Sequence, residues 1–537
     1  MKSRASADVR LFFIANSYLK YVRSQRNLRR NLDEILRDLF LKILNKFKIL
    51  LTFAQNNAAM SPNKIHRQAR ETEQKALEVN LDDKIYGTFA EIGAGQEVAR
   101  HFFQVGAAAG TIAKTMSAYD KTVSDEVYGV EPGGRYVCEN RLYKMLNHEF
   151  DLMEDRLRHD RPKQNFFVFA DTVAAINFTK TISGEGWLGV RFQLTPASKP
   201  NDLVVHVRML DGENRLQQQA IGVLGVNMIY GIYRYQNNVE ILLQSLMDSL
   251  HGRISIDMVR LTGPNFADID NRLLSLWLIK HKMSDVAIFG PDKRNLQAGE
   301  FLYRKNLLVI RGSFRPVTMV NEDMIRTSWE QFRAESEIDA KRSFMMTEIT
   351  LDNLLLEGGL DEQDFLDRAD LLCALGQTVM VTNCEQHQKL INYLADYKIP
   401  KLGLVVGVKQ LLDTINEKYY NNLDGRLLTA FGELFTRNVK VYVYPILQEG
   451  SKENMTAQNM PVPDGVKFLY RHLVESKHIE DITHYHPEYL HIYSTLVLKM
   501  IKHDEEGWDA LVPEKVAKLI REKCLFGFPA QSLKFEY

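Results

Sequence analysis

Short runs of β-branched and aromatic residues, each bounded by turn residues, recur along most of this chain. They read FFVFA (166–170), WLGVRFQL (187–194), DLVVHVRML (202–210), ISIDMVRL (254–261), VAIFG (286–290), NLLVIRG (306–312), TVMVT (378–382), LGLVV (402–406) and VKVYVYP (439–445). Runs of this composition read as strands. Helical periodicity stands between most of them, which confines the chain to the α/β class: mixed or mostly parallel sheet regions flanked by helices, with helical N- and C-terminal parts. The first three runs have no helix between them, which points to antiparallel neighbours and a mixed sheet. From residue 346 onward strand and helix alternate, the order of parallel strands. Asp361 stands as N-cap of a helix that Gly376 stops. The expected organisation is a mainly helical, glycine- and alanine-rich region at 60–160, an α/β domain at 161–345, a second α/β unit at 346–446, and a loop plus helical region at 447–537.

Residues 1–59 stand apart. Arg23, Arg26, Arg29, Arg30, Arg37, Lys42, Lys46 and Lys48 surround an apolar stripe of Leu36, Phe40, Ile43, Phe47 and Leu50. This is a basic amphipathic pattern, suited to a membrane surface or a partner helix. Met60-Ser61-Pro62 also reads as a natural start, which would make the preceding stretch a non-native extension. Over the whole chain Lys+Arg and Asp+Glu are both 68, so no global field favours nucleic acid. The 4 cysteines form no CxxC pair, which fits a reducing, cytoplasmic compartment. No apolar run reaches the roughly 18 residues of a membrane span.

The densest glycine and alanine usage lies in Tyr86–Asp120. Gly93-Ala94-Gly95 follows a short extended run and precedes a helical pattern in which Val98, Phe102 and Val105 share a face. Strand, glycine turn and helix together aim backbone N–H groups at a phosphate. Glu91-Ile92-Gly93-Ala94-Gly95 resembles the first motif of S-adenosylmethionine-dependent methyltransferases and the start of a dinucleotide fingerprint. It departs from the fingerprint at Val98, where the third glycine belongs, and Glu97 beside it would repel a pyrophosphate. Gly106 to Thr115 has spaced glycines and a Lys-Thr pair, yet the lysine does not follow the second glycine as in a P-loop. Two readings stay open. In one, Gly93, Gly95, Gly110, Thr111 and Lys114 bind an anionic ligand. In the other, the small residues let helices pack closely, within the chain or in a homo-oligomer.

Ligands of open α/β sheets bind beyond the carboxyl ends of strands. The residues following the strand runs are therefore the candidates for chemistry. Asp171 and Asp292 are placed to act as acid, base or metal ligand, while Arg311, Lys293 and Arg294 are placed to clamp an anion. Turns favour Asp, Gly, Asn and Pro in any case. Cys384, with His387 one turn on, has the spacing of an activated nucleophile. His484-Tyr485-His486, near His478 and His491, is the one histidine cluster. A surface loop accounts for it, and no metal site is assigned.

From Met60 onward the chain resembles an uncharacterised bacterial protein family. The resemblance is carried by FAEIGAGQEVARHFF, AAGTIAKTMSAYD, NRLQQQAIGVLGVN and the turn Gly290-Pro291-Asp292-Lys293-Arg294. Two labels attach to that family, nicotinate-nucleotide adenylyltransferase and TonB-dependent receptor. The first implies an HxGH-type motif near a first strand, which this sequence lacks. The second implies a closed barrel of many amphipathic strands, whereas this pattern is helix-rich. The sequence therefore points to a protein that binds a nucleotide or other phosphorylated small molecule. A non-catalytic interaction protein and a methyltransferase are the alternatives.

Overall fold

The computed structural model describes residues 70–180, 183–355, 359–415, 431–432, 434–435, 438–448 and 453–529. Residues 1–68 and 69–537 form two units, and the described residues all belong to the second. The basic stretch 1–59 lies outside the described residues.

Two sheets organise the described chain. The first contains β1 (Ile85–Gly93), β2 (Ile112–Met116), β3 (Asn165–Ala174), β4 (Gly184–Phe192), β5 (Asn201–Met209) and β6 (Ile254–Thr262), in the order β2-β1-β3-β4-β5-β6. Both β2 and β3 run parallel to β1. From β3 to β6 each neighbour is antiparallel, so the sheet is mixed, as the missing helices between β3, β4 and β5 require. Alternate residues face opposite ways. Phe167, Phe169, Leu203 and Val205 pack in one core with the helix Asn214–Arg234. Phe166, Val168 and Val204 pack in another with Leu142, Leu146 and Phe150 of the helix Glu139–Leu157. Each such buried side chain contributes roughly 1.5–3 kcal/mol.

The stretch expected to be mainly helical thus supplies two strands. The periodicity of Gln96–Val105 does fold as a helix, Val98–Gln104. Beyond it, Gly106 and Ala107 take positive φ (84° and 59°), which a helix cannot continue through. A 3₁₀ turn, Ala108–Gly110, and β2 follow. Close helix packing through small residues does occur, but elsewhere. Gly222 and Gly225 of Asn214–Arg234 lie against Glu97, His101 and Val98, where a Cβ at Gly225 would stand 2.4 Å from Val98.

The second sheet contains β7 (Val286–Phe289), β8 (Asn295–Leu296), β9 (Asn306–Arg311), β10 (Ser343–Thr350), β11 (Thr378–Thr382), β12 (Leu402–Gly407), β13 (Val439–Tyr444) and β16 (Ile479–Asp481), and the short β14 (Ile446–Leu447) and β15 (Asn454–Met455) pair separately. The order is β16-β13-β12-β9-β10-β11-β7-β8. All pairs from β16 to β11 are parallel, and β7 and β8 add an antiparallel edge. Numbered by chain order, the six parallel strands read third, second, first, fourth, fifth, sixth across the sheet. This is the doubly wound order, with its reversal between β9 and β12. Leu308 and Ile310 face the core that holds the helices Met319–Ala334 and Glu362–Ala374. Leu307 and Val309 face the core that holds His387–Ala395 and Lys467–Glu475. The expected boundary at 345/346 falls inside β10, which is hydrogen-bonded to β9, so β7 to β9 belong with the second unit. Helix Asn271–Lys280 joins the two: Leu274 and Leu278 enter the first core, Leu276 and Ile279 the second. No described helix is long and apolar enough to cross a membrane.

Candidate functional site

The glycine turn after β1 is filled from within. Glu91 and Asp171 are register partners on parallel strands, so both carboxylates leave the same face of the sheet. Glu91 accepts hydrogen bonds from the amides of Val98 (2.7 Å) and Ala99 (3.4 Å) at the start of helix Val98–Gln104. These are the amides a phosphate would need. Asp171 is fully buried and accepts from the Ile92 amide through Oδ1 (3.2 Å), while Oδ2 has no hydrogen-bond partner among the described residues. Its carboxylate lies against Gly95, where a Cβ would stand 2.2 Å from Oδ1. Gly93, at φ 78°, has its Cβ position 2.2 Å from the Val173 carbonyl oxygen. Burial, and then the neighbouring carboxylates, push Glu91 up to about 7 and Asp171 well above its usual range. The glycines thus admit the protein's own carboxylates. The methyltransferase reading built on Glu91–Gly95 meets the same occupied turn.

The other residues of this region are spent or remote. Thr111 donates its buried hydroxyl to the Asn80 carbonyl (3.1 Å), and Lys114 pairs with Glu149 (2.6 Å). Nothing lies within 4 Å of a Cβ at Gly110. A cleft of about 350 Å³ opens beside Glu91, bordered by Gln96, Arg100, Phe103 and Ser117.

The second candidate place is the carboxyl edge of the doubly wound sheet. A cleft of about 680 Å³ lies there, lined from Arg311 of β9, Gly407 to Gln410 after β12, and Tyr444 to Gln448 after β13. Val320 and Met324 wall it from one helix, and Leu490, Ile492 and Tyr493 from the chain beyond β16. It therefore straddles the reversal between β9 and β12. Asp323 braces the walls. Its Oδ2 accepts from the Tyr444 hydroxyl (2.7 Å) and from the His486 amide (2.9 Å), linking Met319–Ala334, β13 and the segment after β16. The described lining includes no carboxylate, histidine or cysteine. What it offers is apolar wall, one tyrosine ring at the mouth, and the cations Lys409 and Arg311.

Arg311 is mostly committed. Its Nε and Nη2 each donate to Glu348 at 2.8 Å, Nη2 also to the Cys384 carbonyl (2.9 Å), and Nη1 to the Glu385 carbonyl (2.8 Å). Four of its five N–H groups are used. The pair ties β9 to β10 and to the turn after β11, so Arg311 shapes the floor of the cleft. On the other side of β9, a cavity of about 650 Å³ is lined by Arg315, Asn353, Asp361, Asp364 and Arg368, with both arginines on Asp364.

The turn Gly290–Arg294 is not at this edge. β7 runs antiparallel to β11, with Phe289 opposite Val379, so the turn after β7 lies at the amino end of the parallel strands. Asp292, Lys293 and Arg294 are therefore separated from Arg311 by the length of the sheet. Lys293 pairs with Asp370 (2.9 Å), an anchor also used by Arg272 and Lys523. The Cys384 thiol is buried and pushed up to about 12, chiefly by that burial, so the thiolate is disfavoured. Burial holds His387 well below its usual range. His486 pairs with Glu488 (2.7 Å) on an exposed turn.

The cleft residues Val320, Met324, Lys409, Gln410, Tyr444, Ile492 and Tyr493 carry no motif in the sequence. The signal that leads to them is the order of strands, which fixes where a doubly wound sheet opens. The fold and this cleft define a doubly wound α/β protein with a second, mixed-sheet unit ahead of it. No protein-family profile matches the chain, and no curated protein matches it. Among solved structures it is similar to competence-damaged (CinA) superfamily proteins. The one from Klebsiella pneumoniae 700603 is 13% identical, with 31% of this chain and 99% of that chain covered at a TM-score of 0.24. The competence/damage inducible protein CihA from Agrobacterium tumefaciens is 14% identical, with 31% and 99% covered at a TM-score of 0.23. Likeness at this level carries no conclusion about fold or activity.

Proposed function

We propose that the protein binds a nucleotide or another phosphorylated small molecule in the cleft over β9, β12 and β13. The observation that carries this reading is the position of a cleft of about 680 Å³ at the reversal of strand order, where open parallel sheets take their ligands. The lining fits the chemistry. Val320, Met324, Leu490 and Ile492 give a flat or apolar moiety its wall, and Tyr493 at the mouth gives it a ring to stack on. Lys409 is exposed and has no ion-pair partner among the described residues, so its ammonium is available to a phosphate. The described lining supplies recognition and no acid–base pair, which favours a binding role for this wall. The family resemblance from residue 60 onward adds no activity to that reading.

The test is thermal unfolding of the full chain with ATP, AMP, NAD and ribose 5-phosphate in turn. A binder at a hundred times its Kd adds about 2.7 kcal/mol of stability, which appears as a raised Tm. The replacement Val320→Trp, on the half-buried cleft wall, is expected to remove that rise and leave the unliganded Tm close to the starting value. No rise with any of the four at millimolar concentration overturns the reading, as does a rise that survives Val320→Trp.

A further inference from the structure

The buried carboxylates of the first unit are not explained by ligand binding in the second. Glu91 and Asp171 leave one face of two parallel strands at the same register, and no cation pairs with either among the described residues. The charged groups around them are accounted for. Helix Val98–Gln104 brings Glu97, Arg100 and His101; Arg100 is paired with Glu97 (3.3 Å), and burial holds His101 below its usual range. Helix Asn214–Arg234 presents Gly222 and Gly225, β4 presents Leu188 opposite Asp171, and Lys114 of β2 is spent on Glu149. Two adjacent carboxylates in such surroundings cannot both stay ionised without a large cost. Asp171 is fully buried, and its Oδ2 has no hydrogen-bond partner among the described residues.

We propose that Glu91 and Asp171 hold one shared proton at neutral pH, and that this proton latches the turn Gly93–Glu97 shut over the cleft beside Glu91. The two carboxylates have different routes to water. Asp171 is sealed beneath Gly95, whereas Glu91 borders the cleft. When the proton leaves, Glu91 is the member that swings out. Its departure strips the Val98 and Ala99 amides of their acceptor and frees the helix start. Gln96, whose amide donates to the Ser117 hydroxyl (2.6 Å) across the cleft, moves with the turn. The open form binds one proton fewer than the closed form, so opening becomes easier with rising pH until the closed pair itself ionises.

Hydrogen exchange followed by mass spectrometry on the full chain reads this directly. After correction for intrinsic exchange, protection at Val98 and Ala99 is expected to fall about tenfold per pH unit from pH 5 to 7, the slope of one linked proton, and to level off above. In Asp171→Asn, which keeps the acceptor for the Ile92 amide, the slope is expected to vanish. Glu91→Gln, which removes the titrating group from the cleft side, should flatten it as well. Protection at Val98 and Ala99 that does not change with pH in the unaltered chain overturns the latch, whatever the variants do. So does the same slope in peptides from β4 and β5, because that reports global unfolding.

Discussion

The two α/β units present the same local grammar, strand then turn then helix, and use it in opposite ways. After β1 the glycines bring the backbone so close to its neighbours that Asp171 and the Val173 carbonyl occupy the space a ligand would need. At the ends of β9 and β12 stand one glycine each, Gly312 and Gly407, neither at positive φ, and the space beyond them is open. The charge arrangement is reversed too. At the second site the buried carboxylate Glu348 is matched by a guanidinium on the neighbouring strand, with two further acceptors for its remaining hydrogens. At the first site two carboxylates stand side by side, with no cation pairing either among the described residues. Glycine density therefore marks close approach, and what approaches is decided by the neighbouring strand.

The largest expected effect breaks the matched pair. Glu348 is fully buried and also accepts from the Thr382 hydroxyl (2.7 Å). Arg311→Met leaves its charge alone in the sheet, and a loss of about 3–5 kcal/mol of unfolding free energy is expected in urea titration. The corresponding change at the unmatched pair has the opposite sign. Asp171→Asn removes a like charge, so at pH 8 it is expected to stabilise the fold.

The pH profile sharpens that contrast. Glu91 stands at about 7 in the folded chain against an ordinary value of 4.5. A carboxyl raised on folding contributes stability that is complete below its unfolded value and lost as pH climbs through the folded one. The loss attributable to Glu91 is about 3 kcal/mol between pH 4.5 and pH 7. It is measured as the difference between the unaltered chain and Glu91→Gln, each unfolded by urea across that range. Equal slopes in the two proteins would show that the carboxylates do not share a proton.

Much of this architecture was legible in the sequence. The runs that form β3 to β7, β9 and β11 to β13 announce themselves by β-branched and aromatic density, and the mixed and parallel halves follow from which runs have helices between them. β1 shows only as the short extended run before Gly93, and β2 is hidden: IYGTFAEIG and IAKTM mix small and polar residues, because β1 makes room for Phe167 at Gly87 and the turn after it for Asp171 beside Gly95. Asp171 was legible as a strand-end acid, but its partner Glu91 was read as part of a glycine motif. Pairing is a property of register, and register across 80 residues of chain leaves no local mark. The cleft was hidden for a related reason. Its lining comes from several separate segments with no shared pattern, and only the spatial order of β9 and β12 brings them together. Asp292 and Arg311 looked equivalent as residues after strands, until the antiparallel direction of β7 put them at opposite ends.

Glycine replacement tests what the turn is for. Gly93→Ala places a Cβ against a backbone oxygen and forces a positive φ on a residue that resists it. A cost of about 2–3 kcal/mol is expected. Gly110→Ala meets open space without a positive φ, and should stay within about 0.5 kcal/mol of the unaltered chain. If the glycines of this region served a ligand, both replacements would leave stability nearly unchanged and differ in binding instead.

The smallest expected effect bears on the open site. Lys409 follows β12 at the mouth of the cleft, exposed and without an ion-pair partner among the described residues. A solvent-facing ammonium contributes about 0.5–1 kcal/mol to holding a phosphate, so Lys409→Ala is expected to weaken a phosphorylated ligand about two- to fivefold. Stability should not move, because nothing in the fold leans on this side chain. The salt dependence separates this from a packing defect. Raising ionic strength should narrow the gap between the two proteins, since a charge this exposed is screened within about 8 Å at physiological salt. A gap that persists at high salt would mark a packing defect, and no gap at any salt would place the anion on Arg311, whose remaining N–H is sheltered by the sheet. The second site would then resemble the first in keeping its decisive charge buried.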